Sequence, residues 1–168
     1  SIDEISRSIL LNSDNFASEV VFKVAAAKYI NYSHSATLND AINMFEEIYE
    51  DNWQEGVKIT DGSGVSRYNL VNCEFVVSCL EKLFKNEKYK NLLATANQGT
   101  LSNRLAFLEN NLRAKTGTLS DMSSITGNLT SKKGNNITFA IIVQNSPKRK
   151  AVLKNFENNI ITILYRKY

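Results

Sequence analysis

Apolar residues recur at helical spacing through most of the first 110 positions. Phe16, Val20, Val24, Ala27 and the pair Tyr29-Ile30 form a stripe from Asn15 to Asn31, the one-sided pattern of an amphipathic helix. Thr37 to Glu50 repeats it through Leu38, Ala41, Met44, Phe45, Ile48 and Tyr49. The style changes at "GVKITDGSGVSR", where Val57 to Thr60 reads as a short strand running into a glycine-rich turn. Asn72 then offers a cap for a third helix through Phe75, Val76, Cys79, Leu80 and Leu83. Lys88 to Ala96 and Leu101 to Leu108 predict two shorter helices around the turn "NQGT".

From Asn111 the period shortens to two. "LRAKTGTL" and "SSITGNLTS" alternate as strands, "KKGNN" is a hairpin turn, and "ITFAIIVQN" is almost continuously apolar, as in a strand covered on both faces. Ser146 followed by Pro147 predicts a helix start. The closing helix carries Val152, Leu153, Phe156, Ile160, Ile163 and Leu164. The order is a mainly helical part over residues 1–110, then a three-strand antiparallel meander and a closing helix over 111–168. That is an α+β fold, since no βαβ alternation is present.

Composition narrows the function classes. The chain has 168 residues, 43% hydrophobic and 22% charged, with a net charge of only +3. Its cations are scattered, so no nucleic acid partner and no anionic membrane is implied. No apolar run approaches the ~20 residues of a membrane-spanning helix. The two cysteines, Cys73 and Cys79, lie roughly 9 Å apart along a helix axis and point to different sides, so two free, half-buried thiols are expected. A single histidine, His34, predicts no metal site, and no cofactor is expected. The chain starts at Ser1, as a processed form or a fragment would.

Three stretches carry chemistry. "NSDNFASE" places Ser13, Asp14 and Asn15 where the first long helix begins, and alone this is an ordinary helix cap. "DGSGVSRYNL", Asp61 to Leu70, is alone a turn. "RAKTGTLSDM" puts Lys115, two hydroxyl residues, Thr116 and Thr118, and the side-chain-free Gly117 on one strand. A core strand has no use for that mixture, whereas a surface that grips a small carboxylate would.

S-D-N followed by K-T-G about a hundred residues later is the pattern of penicillin-binding proteins and class A β-lactamases. "SDNFASE", "DGSGVSRYNLV", "GTLSNR", "AKTGTL" and the glycine of "ITGNL" occur here in the order found in peptidase family S13. The chain resembles those D-alanyl-D-alanine carboxypeptidase/endopeptidases, of the penicillin-binding protein 4 type, along nearly its whole length. One departure is plain: no S-x-x-K, the motif that holds the family's nucleophilic serine and its lysine base, occurs in these residues. The resemblance therefore implies the C-terminal part of such an enzyme, with its own missing N-terminal segment as a partner. A paralogue without catalysis, serving as a wall-peptide-binding module, is the other implied option.

The resemblance also implies roles. The substrate would be a peptidoglycan stem peptide ending in D-Ala-D-Ala, with β-lactams as inhibitors, in the periplasm or another extracytoplasmic bacterial space. Lys115 would face the terminal carboxylate. Thr116 and Thr118, two apart on a strand, would donate hydroxyl hydrogen bonds to it from one face. Gly117 would keep the strand clear for substrate added as a further strand. The Thr118 N–H would serve an oxyanion hole. Ser13 would relay a proton to the leaving nitrogen, and Asn15 would hold a substrate amide. Asp14 and "DGSGVSR" would brace the cleft. A class A β-lactamase would need E-x-x-L-N between the two motifs, and Met44 to Gly56 has glutamates without that pattern.

Overall fold

The computed structural model describes residues 1–50, 53 and 55–168. Side-chain caps set the helix starts. Helix α1 (Ile2–Arg7) opens on a Ser1/Glu4 capping box and runs into one π turn, Ser8–Asn12. Asp14 caps α2 (Asn15–Tyr29), accepting from the Ala17 amide at 2.9 Å. Thr37 and Asp40 form a capping box on α3 (Leu38–Ile48), and Asn72 caps α4 (Cys73–Phe84) through the Phe75 amide. Each cap satisfies amides that a helix start leaves without an internal partner. A short α5 (Glu87–Lys90) leads to the sheet.

Among the described residues the sheet has four strands, not three. They are β1 (Ala94–Thr95), β2 (Leu112–Thr118), β3 (Ser123–Thr130) and β4 (Asn136–Val143), antiparallel and in the order β1-β2-β3-β4. Ala94 and Thr95 were expected in a helix; they pair instead with Ala114 and Arg113. The helix expected over Leu101 to Leu108 is also replaced, by two 3₁₀ turns, Gly99–Leu101 and Ala106–Asn111. Asn97, Asn103, Leu105 and Glu109 all have positive φ, which no continuous helix tolerates. The strand expected at Val57 to Thr60 is a single bridge between Lys58 and Leu70.

The closing helix α6 (Lys150–Lys167) begins later than the Ser146-Pro147 pair suggests. The Ser146 amide donates to the Asp121 carbonyl at 3.0 Å, which ties this segment to the β2–β3 turn. Arg149 stands at the N-cap with no side-chain cap bond. Cys73 and Cys79 are free as expected, but Cys73 is exposed. Burial pushes the Cys79 thiol up to about 11.

The main core lies between the sheet and α6. The register puts Leu112, Ala114, Ile125, Leu129 and Phe139 on one sheet face, where they join Ile161 of α6 and the buried Leu101, Leu105 and Leu108. Arg104 binds α6 from the same side. Its Nη2 donates to the fully buried Glu157 at 2.7 Å, and its Nε donates to Asn158 at 3.1 Å. A second, aromatic cluster joins α3 to α4 through Phe45, Tyr49, Trp53 and Phe75. The stripe that predicts α2 is not its buried face: Phe16, Val20 and Val24 are exposed, and Ala26 is the buried residue.

Candidate active site

Ser13 and Lys115 are 102 residues apart in sequence and in direct contact. The Lys115 ammonium donates to Ser13 Oγ at 2.7 Å and to the Thr116 carbonyl at 2.7 Å. Ser13 reaches it from an unusual backbone. It follows the π turn, donates its amide to the Ile9 carbonyl at 3.1 Å, and takes left-handed angles, φ 61 and ψ 48. Such angles in a residue with a side chain are uncommon and concentrate at functional sites, as do π turns. Lys115 has no carboxylate partner among the described residues, and burial lowers its pKa. A half-buried cation held only by neutral groups is a standing attraction for an anion.

Both side chains open into one cleft of about 960 Å³, which Asn15, Thr116, Gly117 and Thr118 also line. Asn15, the first residue of α2, is exposed, and its amide makes no hydrogen bond among the described residues. All six expected residues therefore come together around the same space. Their arrangement differs in one respect from the expectation. Thr116 and Thr118 do share a face, but it is the face of Ile125 and Ser123, while Lys115 and Gly117 lie on the other with Thr126 and Ser124. They still reach the cleft because β1 covers β2 only at Arg113 and Ala114. Beyond that point the outer edge of β2, from Lys115 to Thr118, is unpaired among the described residues.

Ser124 carries no signal in the sequence. It lies opposite Gly117 and lines the cleft. A Cβ on Gly117 would fall 2.6 Å from Ser124 Oγ, so the missing side chain leaves room for that hydroxyl. The alternation of "SSITGNLTS" combined with the pairing register is what would have pointed to it.

The opposite wall is the segment Asp61 to Arg67. Asp61 accepts from Ser63 Oγ at 2.7 Å, Asn69 Nδ2 at 2.6 Å and the amides of Gly64 and Ser66 at 3.0 Å. Burial works to raise its pKa, but these bonds outweigh it and hold the carboxyl below its usual value. The Gly62 amide donates to Glu19 and Ser18 Oγ donates to the Gly62 carbonyl, so α2 anchors the turn. Arg67 crosses to the β2–β3 turn, where it pairs with Asp121 at 2.9 Å and donates to Ser120. The stretch Met44 to Gly56 includes Asp51, Asn52 and Gln54, which lie outside the described residues.

A family model for the D-Ala-D-Ala carboxypeptidase 3 (S13) family matches residues 2–167. The chain belongs to this family. Its relatives include the D-alanyl-D-alanine carboxypeptidase DacB of Haemophilus influenzae, 26% identical over 185 residues that cover 98% of this chain and 38% of that protein. The S13 chain thus spans well under half of that relative's length. Among solved structures it is similar to penicillin binding protein 4 from H. influenzae, with a TM-score of 0.86 and 27% identity over 97% of this chain and 39% of that one. The extended-spectrum β-lactamase TLA-1 matches at a TM-score of 0.71 and 19% identity, over 98% of this chain and 63% of its own. That likeness shows a shared fold, in agreement with the α+β class expected for penicillin-binding proteins and β-lactamases.

Proposed function

We propose that this chain supplies the substrate-gripping and proton-relaying side of a serine-type D-alanyl-D-alanine carboxypeptidase/endopeptidase acting on peptidoglycan peptides through an acyl-enzyme. The observation that carries the reading is the 2.7 Å bond from Lys115 to Ser13 Oγ. Because Ser13 Oγ accepts from the ammonium, its own proton is free to point into the cleft. A hydroxyl fixed in that way can hand its proton to a departing amine and take a replacement from the S-x-x-K lysine that has removed the nucleophile's proton, so Lys115 keeps its charge. The unpartnered charge of Lys115 attracts the carboxylate at the end of the substrate. The free edge of β2 offers main-chain groups to an extended peptide laid alongside it. Asn15 offers both an amide donor and an acceptor to the peptide's other side. The Thr118 N–H serves the oxyanion, and a β-lactam enters as a mimic of the same terminus.

The nucleophilic serine is not among S-x-x-K motifs of these 168 residues, which contain none. The reading therefore places it elsewhere in the complete protein, in an extracytoplasmic setting where wall peptides are found. Two measurements test it. The isolated 168-residue chain, incubated with penicillin, should show no acyl mass increment by intact-mass spectrometry. In the protein expressed from its complete reading frame, penicillin should add one acyl group, and Lys115→Ala should slow that step by on the order of 10²-fold. A stoichiometric adduct on the isolated chain, or an unchanged rate in Lys115→Ala, overturns the assignment.

A further inference from the structure

We propose that Gly99 is a positioning residue for Ser13, acting through the main-chain carbonyl of Leu11. The inference rests on the roles given above to Ser13 and Lys115. Gly99 opens the 3₁₀ turn Gly99–Leu101 with φ +48. A Cβ built there would lie 2.3 Å from the Leu11 carbonyl oxygen and 2.9 Å from Leu11 Cδ1. A side chain could rotate away from such a contact, but a main-chain oxygen moves only with its peptide plane. Leu11 is in the π turn, two residues before Ser13. A shift of its carbonyl is therefore passed to Asn12 and to the left-handed Ser13, whose amide already bonds back into the turn at Ile9.

The segment that bears Gly99 is the firmer of the two. Asn97 accepts from the Asn103 amide at 3.0 Å, and Leu101 is fully buried. Arg104 locks the end of the segment to Glu157 and Asn158 of α6. A clash at Gly99 is thus relieved on the side of Ser13. Neither Gly99 nor Leu11 lines the cleft, so any effect on reaction passes through the placement of Ser13 Oγ against Lys115. A displacement of about 1 Å at such a contact is enough to cost on the order of 10²-fold in rate.

The test is a double-mutant comparison in the protein expressed from its complete reading frame. Gly99→Ala should slow penicillin acylation by roughly 10²-fold in the wild-type background and scarcely at all in the Ser13→Ala background, because two changes acting through one contact are not additive. Gly134→Ala is the control for left-handed strain alone, since Gly134 has φ +86 and open space around it; it should acylate at the wild-type rate. If Gly99→Ala does not fold, Asn97→Gly serves instead. It keeps the left-handed backbone of Asn97 while removing the bond to Asn103, and it should slow acylation only where Ser13 is present. A separate arm follows the Lys115 side chain by NMR titration. Gly99→Ala should move its midpoint in the same direction as Ser13→Ala, and Gly134→Ala should not move it. If the wild type is not acylated at all, the functional reading fails and the NMR arm still decides the role of Gly99. Equal slowing in both backgrounds, a wild-type rate in a folded Gly99→Ala protein, or an unmoved Lys115 midpoint overturns the proposal.

Discussion

At the scale of single residues, function and stability pull on Lys115 in opposite directions. Burial depresses its pKa from the ordinary 10.5, which means that the folded chain holds the charge less readily than the unfolded chain does. At neutral pH the charged form therefore costs folding free energy. The cost is largest below the folded-state pKa and disappears as the pH rises toward 10.5, where the unfolded chain also loses its proton. Lys115→Met should consequently raise the melting temperature at pH 7 while slowing β-lactam capture by on the order of 10²-fold. The stability gap between variant and wild type should narrow as the pH approaches 10.5. Thermal melts across that range check both signs, and a variant less stable than wild type at pH 7 would contradict the burial argument. The residue types at the site were legible from sequence because S-D-N and K-T-G are short, ordered motifs. The 2.7 Å contact between them was not, because nothing local specifies how a turn at Ser13 meets a strand 102 residues later. Ser124 and the Arg67–Asp121 pair were hidden for the same reason.

At the scale of elements, legibility follows how local the cause is. Helices α2, α3 and α4 have caps and stripes within a few residues, so their existence could be read. Strand β1 is two residues long and exists only by pairing with β2, and no periodicity fits into two residues. The 3₁₀ turns after it depend on positive φ at Leu105 and Glu109, residue types that give no turn signal. Even α2 was read only in part: its pattern marks a helix, but Phe16 is 80% exposed. Beside the apolar contacts of Leu101, Leu105 and Leu108, Arg104 ties the irregular segment before β2 to α6. Glu157 is fully buried with it and accepts from it through Oε2, while its Oε1 has no hydrogen-bond partner among the described residues. Removing the guanidinium strands a buried carboxylate. Arg104→Met should therefore destabilise the fold by about 3–5 kcal/mol, whereas replacing both partners with apolar residues should cost much less. Urea denaturation of the single variant, Glu157→Leu and the double variant would separate the pair from its parts. Additive losses would show that the charges are not coupled.

At the scale of the whole molecule, several surfaces have the character of interiors. Strand β4 is paired on one side by β3, and its other edge is open among the described residues. On α6, Val152, Phe156 and Ile163 are 50%, 52% and 60% exposed, and on α2 the Phe16, Val20 and Val24 stripe faces outward. An open edge beside apolar side chains is a template for pairing with another chain. Each large apolar side chain left in water forgoes roughly 1.5–3 kcal/mol of burial. Summed over these positions, that rivals the ~5–15 kcal/mol net stability of an ordinary domain. The 168-residue chain alone should therefore self-associate through the β4 edge and α6, or melt without cooperativity, at micromolar concentration. Replacing Val152, Phe156 and Ile163 with lysine should shift it toward monomer, because the change removes the apolar contact without touching the core side of α6, where Leu153 and Ile161 are buried. Sedimentation velocity and thermal melting of both forms would decide the matter. A wild-type chain that sediments as a monomer and melts in one sharp transition would show that these surfaces need no cover.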